Sequence, residues 1–232
     1  MTPPLGMDPN AAFLTASLLL LTGALGFLSA RAFLRFYRTR VMVQVWWAGG
    51  LALSTGAMAV ESIVYAGILT EPLLQAYVFL SGALVGILSI GATRVLRSPR
   101  LELGYSLYTV LACGVLGVFS FTTSMPLGMV TQGIITGDPP LSLLIISSLV
   151  TGPATIVLLA SSASSLRRSR DWRTLLLVAG ALVLGAGGTL YIASFPVALY
   201  YAEFIGIVLL FTGLMSLKPM APAAPAVHPT PA

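Results

Sequence analysis

All twelve lysine and arginine residues of this chain fall in alternate gaps between long apolar runs, and no other feature restricts the fold as tightly. A helix needs roughly 20 apolar residues, at about 1.5 Å rise each, to cross about 30 Å of hydrocarbon. Seven segments qualify, at 10–31, 41–69, 72–95, 101–122, 141–165, 172–194 and 196–217. Arg31, Arg35, Arg38 and Arg40 follow the first, and Arg94, Arg97 and Arg100 separate the third from the fourth. Arg167, Arg168, Arg170 and Arg173 separate the fifth from the sixth, and Lys218 follows the seventh. The remaining gaps hold Asp8, Glu71 and Asp138 and no basic residue. The pattern predicts an all-α integral membrane protein, a seven-transmembrane helix bundle over residues 1–218. By the positive-inside rule its N-terminus is outside, its C-terminus is cytoplasmic, and it is a multi-pass protein of the plasma membrane.

Composition agrees, with 57% hydrophobic and 8% charged residues and a mean hydropathy of +0.95. The basic balance therefore points to anionic lipid at the helix ends and not to nucleic acid. The opening "MTPPLGMDPN" lacks the positive region of a signal peptide, so the first run is expected to be a mature helix. Residues 219–232, rich in Pro and Ala, read as a disordered cytoplasmic tail. The external segment 124–140 reads as an interfacial turn on the headgroups, with a lid over an external opening as the sharper alternative. Trp46 and Trp47, close behind the basic segment "RFYRTR", read as interfacial anchors.

Three anchors recur in order between spans one to three and spans five to seven. "LTGA" (21–24) faces "VTGP" (150–153), and "AGGLALSTGA" (48–57) faces "AGALVLGAGG" (179–188). Pro72, Tyr77 and Gly82 then face Pro196, Tyr201 and Gly206. These anchors suggest a 3+1+3 parallel repeat with span four as linker. In architecture alone the arrangement is similar to the SWEET sugar transporters and to opsin-like seven-helix proteins. That likeness covers helix count and order; the Pro-Gln dipeptide of PQ-loop transporters is absent, and no family site is carried over.

Residue types exclude several chemistries. A retinal Schiff base needs a lysine within the last span, and the only lysine, Lys218, lies past it. Haem ligation lacks histidines, since His228 stands alone in the tail. Asp8, Asp138 and Asp171 all lie at loop positions, which argues against an intramembrane aspartyl protease, and no His-Glu-x-x-His metal motif occurs. Cys113 has no second cysteine to pair with. An enzyme, a resident metal and a cofactor are all unsupported.

Glu61 and Glu203 are the two acids placed within the hydrocarbon, where ionisable groups are costly and mark functional sites. Glu61 shares a helical stripe with Gly50, Ser54, Ala57 and Tyr65, and Glu203 shares one with Tyr200, Gly206 and Gly213. The two glutamates are expected to approach across the bundle and to share a proton or a bound polar ligand. Pro153 in span five removes a helical hydrogen bond and is the expected hinge, with Ser148, Thr151 or Thr155 available to the freed backbone.

The leading expectation is proton-linked binding or transport of a small polar solute at Glu61, Glu203, Tyr65, Tyr200 and Ser54. Its alternatives are a receptor or sensor without retinal, and an accessory membrane subunit of a larger respiratory, secretion or import complex. The expected partners are the lipid bilayer, the solute or proton, and a membrane-protein partner or a second copy of the chain.

Overall fold

The computed structural model describes residues 9–96, 98–131, 134–135 and 139–169, with short stretches between 175 and 213. Five helices account for nearly all of this: α1 (Pro9–Thr39), α2 (Val43–Tyr65), α3 (Glu71–Thr93), α4 (Pro99–Thr122) and α5 (Leu141–Ser169). Each contains a stretch long and apolar enough to cross a membrane. Spans six and seven, two of the three spans in the second unit of the expected repeat, are described only in part, with 204–209 the longest run. Between α4 and α5 a 3-10 turn (Leu127–Met129) leads into a minimal antiparallel ladder, β1 (Val130–Thr131) and β2 (Ile134–Ile135).

Helix ends follow local chemistry. α3 and α4 both start from a residue in extended conformation, Thr70 or Ser98, with a proline in the first two helical positions. There the missing N–H of proline costs nothing. α2 stops at Tyr65, four residues before the expected end at Leu69, because Gly67 takes φ 92°. The Ile68 amide then reaches back to the Ile63 carbonyl at 3.2 Å, and the Gly67 amide to that of Val64 at 3.0 Å. This is a Schellman-type stop, which glycine adopts without steric penalty. α1, by contrast, runs eight residues beyond its expected end at 31. Arginine is a good helix former, so the basic cluster ends the apolar run without ending the helix.

Pairs of touching residues set the helix directions. Ser29 of α1 donates to the Ala48 carbonyl of α2 at 2.9 Å, and a Cβ on Gly50 of α2 would meet Leu88 of α3. A Cβ on Gly82 of α3 would meet Leu116 of α4, while Tyr105 of α4 bonds Ser89 of α3 at 2.6 Å. Gly26 of α1 also faces Thr55 of α2, Gly56 of α2 faces Leu80 of α3, and Gly82 and Gly86 of α3 face Ser147 and Val150 of α5, so α5 runs with α3 and consecutive helices are antiparallel. Arg31, Arg35, Arg38, Arg40, Arg94, Arg100 and Arg167 therefore gather at one end, with the loop between α4 and α5 at the other. At the basic end Arg94 pairs with Glu102 at 2.6 Å.

The apolar windows of α2 and α3 are 56% and 50% buried, against 22% for α1, α4 and α5. Among the described helices the first two are thus the centre, and the others present Leu20, Leu103 and Ile156 outward. Apolar side chains gain little by leaving lipid for protein, so close approach of backbones has to hold such a bundle together. α3 supplies that approach through Gly82, Gly86 and Gly91. Trp47 corrects the interfacial-anchor reading: it is 1% exposed, and a Cβ on Gly91 would lie 2.5 Å from its indole Nε1. Its partners in that cluster are Leu84, Leu88 and Ala92 of α3 and Leu158 of α5.

Candidate functional site

Nine residues of α2 are buried, and by the 100° step of an α-helix Ser54 and Glu61 lie at the middle of the arc they form. Each is 1% exposed. On one flank Leu51 and Met58 join Leu18, Leu21 and Leu25 of α1 and Ile207, with Tyr65 half-buried against them. On the other flank Val64 packs with Leu74 and Val78 of α3, and Leu53 and Val60 adjoin that cluster. Glu61 and Ser54 thus stand on the seam between two apolar cores. Trp47 continues the line, so three buried polar side chains recur at seven-residue intervals, roughly 10 Å apart by helical rise.

Ser54 differs from the other hydroxyls of its helix. Thr55 donates to the Leu51 carbonyl and Ser62 to that of Met58, each at 2.8 Å, the usual local satisfaction of a helical hydroxyl. Ser54 Oγ and Trp47 Nε1 have no hydrogen-bond partner among the described residues. Buried polar atoms are ordinarily satisfied, so two unmet ones in line with a buried carboxyl make this seam a polar stripe through an apolar interior. Thr109, Ser120 and Ser161 also carry unmet buried hydroxyls among the described residues, but none lies on α2.

The earlier stop of α2 leaves Glu61 four residues, or roughly 6 Å, from the helix end, about half the depth that an end at Leu69 implies. One turn outward, Val64 shares a cluster with Met125 and Ile135 of the α4–α5 connection, which are 3% and 1% exposed. The segment expected on the headgroups therefore inserts two apolar side chains over this end of the bundle. Glu71 Oε1 accepts the Met125 amide at 2.9 Å, and Gln75 Nε2 donates to the Thr123 carbonyl at 3.1 Å. Sequence reading placed Glu71 only as a loop acid, since nothing local ties it to a residue 54 positions away. Glu71→Ala should speed amide exchange at residues 123–131 by about tenfold, the effect of losing a charge-assisted bond of roughly 1.5 kcal/mol. Unchanged exchange by mass spectrometry would show that the loop is held by Met125 and Ile135 alone.

Pro153 lies inside α5, which continues without a break from Leu141 to Ser169. Proline at 153 cannot donate to the carbonyl four residues back, that of Leu149. Ser148, Thr151 and Thr155, the expected rescuers, bond instead to Leu144, Ser147 and Thr151. The orphan is taken by Tyr108 of α4, whose hydroxyl donates to Leu149 O at 2.6 Å. Cross-helix bracing, and not a local hydroxyl, thus meets the proline break. Tyr108→Phe should destabilise the protein by on the order of 1–2 kcal/mol. The loss should shrink in a Pro153→Ala background, where residue 153 regains its amide; an equal cost in both backgrounds would refute the pairing.

Glu203 and Tyr200 lie outside the described residues, so the glutamate pair is not brought together here. Tyr201 donates to Ser17 Oγ of α1 at 3.1 Å, which places Tyr201 beside α1. Among the described residues no group of three or more His, Cys, Asp or Glu side chains converges as a metal site would. Compared with known proteins, the chain matches no family model, no curated protein and no solved structure, so its function has to be argued from these residues.

Proposed function

We propose that the chain binds or carries a small polar solute in company with a proton, with Glu61 as the proton-binding group. One observation carries the reading: a carboxyl that is 1% exposed at the centre of the buried face of a membrane-length helix. Burying an ionisable group at such a place costs a few kcal/mol, and interior acids of this kind serve proton and substrate pathways. Ser54 and Trp47 add hydrogen-bonding capacity along the same line toward the basic end. Tyr65, one turn from Glu61, supplies a hydroxyl on the outward side.

In this reading the bundle has seven spans in a 3+1+3 order, and the two outside the described helices complete the cavity with Glu203 and Tyr200. The basic end faces the cytoplasm across the plasma membrane, where the positive-inside rule puts it. Solute enters from the opposite end past Met125 and Ile135. No covalent chemistry is assigned to the protein.

The test is reconstitution into liposomes that enclose a pH-sensitive dye, with sugars, amino acids and organic acids added singly outside. A solute that triggers proton movement only in protein-containing vesicles supports the proposal. Silence across the panel, with the protein recovered from cells as a stable complex with other membrane subunits, would favour the accessory-subunit alternative.

A further inference from the structure

Along an exposed side of α1 and α2 lies a groove of about 530 Å³, floored by Gly26 and Ala30 of α1 and Gly49 and Ala52 of α2. Phe33 and Val45 wall its end nearest the basic residues. Two hydroxyls also line it, and both are already engaged: Ser29 donates to the Ala48 carbonyl at 2.9 Å and Thr55 to the Leu51 carbonyl at 2.8 Å. The groove consequently offers hydrocarbon and no unmet polar group. From Val45 to Thr55 it extends ten residues, or roughly 15 Å by helical rise, which is about half of a 30 Å hydrocarbon core. That is the depth of a single leaflet.

The face of α1 that lines the groove continues toward the helix end through Phe33, Tyr37 and Arg40, at spacings of four and three. Phe33 and Tyr37 meet edge to face with centroids 5.1 Å apart, and the Arg40 guanidinium lies 5.7 Å from the Tyr37 ring. Arg40 takes φ 55°, a left-handed conformation uncommon outside glycine, at the point where α1 ends. An exposed cation is thereby held over the Tyr37 ring, two turns along the chain from Phe33 at the end of the apolar slot. Arg31 and Arg38 are exposed on the same helix end, and Val41 and Met42 are 43% and 51% exposed beside them, as suits a segment at the headgroup level.

We propose that this groove is a binding site for one anionic phospholipid of the leaflet on the basic side, with an acyl chain along Ala30 and Ala52 and the phosphate at Arg40. Apolar lining, one-leaflet length and a cation beyond one end are the three properties of such a lipid, and a partner helix would need only the first. The site is separate from Glu61 and does not depend on the transport reading.

Protein purified in mild detergent and stripped of lipid is offered phosphatidylglycerol or phosphatidylcholine, and retained lipid is counted by native mass spectrometry. One phosphatidylglycerol per chain should persist, with phosphatidylcholine lost at lower detergent concentration. Ala52→Phe, which fills the groove from an exposed position, should cut retention about tenfold, and Ala30→Leu on the opposite wall serves if that variant folds poorly. Arg40→Gln should reduce the preference for the anionic lipid about fivefold, the factor one such cation supplies. Equal retention of both lipids, wild-type retention by the groove-filling variants, or a second copy of the chain bound in place of lipid would each overturn the proposal.

Discussion

Gly86→Leu is expected to abolish the folded bundle. A Cβ at Gly86 would sit 2.9 Å from Val150 Cγ1, 3.1 Å from Thr109 Cγ2 and 3.4 Å from Cys113 Sγ. These contacts come from both α4 and α5, so relief requires both helices to move away from α3 together. Separating them gives up the close backbone packing on which association in lipid depends. Overpacking by a few atoms typically costs about 1–3 kcal/mol, and three further carbons in a site too small for the first should exceed that range. Gly86→Ala, which adds only the Cβ, should fall within it even after regaining roughly 1 kcal/mol of helix propensity. Gly23→Leu is the control, since nothing lies within 4 Å of its Cβ position. Thermal unfolding in detergent, followed by size exclusion, checks the series. A Gly86→Leu protein as monodisperse and heat-resistant as wild type would mean that α3 is not the central contact.

Glu61→Gln is expected to leave the fold intact and remove proton coupling. Glutamine has nearly the shape of the carboxyl and keeps a carbonyl acceptor, so Leu51, Met58 and Val64 should pack around it as before. It cannot exchange a proton. Solute-driven proton uptake in vesicles should therefore drop by roughly tenfold or more, because the group that takes up the proton is gone. The midpoint of thermal unfolding should stay or rise, because the cost of burying an ionisable group disappears. Ser54→Ala probes the same seam and should weaken solute binding less than the glutamate change, since it removes one neutral hydrogen bond worth about 1 kcal/mol. Proton movement undiminished in Glu61→Gln, with the solute still transported, would reassign Glu61 to packing. A fall in both flux and thermal stability would do the same.

Much of the fold was legible along the chain. Spans three to five were expected at 72–95, 101–122 and 141–165, and the helices occupy Glu71–Thr93, Pro99–Thr122 and Leu141–Ser169. Their starts are marked by proline, whose effect on the backbone is confined to its own neighbourhood. The ends of α1 and α2 were misjudged for different reasons. The apolar run ends near Arg31 while the helix goes on to Thr39, whereas the stop of α2 at Gly67 depends on a positive φ that composition does not reveal. Glu61 stood out as a candidate because an acid among apolar neighbours is anomalous whatever surrounds it. Its central place on α2, with Ser54, follows from the helical period once the direction of burial is known.

By itself the sequence determined the membrane class, the five described helices and the gathering of arginines at one end, because length, hydropathy and charge act residue by residue. Only the tertiary structure decided that α2 and α3 form the centre and that Trp47 lies over Gly91 instead of in the headgroups. It alone paired Tyr108 with the carbonyl that Pro153 leaves open, and Glu71 with the Met125 amide. The physical reason lies in the bilayer. Lipid is as apolar as the helix faces it covers, so hydropathy cannot say which face turns inward. Rotation and register are set by where glycine lets two backbones meet and where a buried polar group finds its partner on another helix.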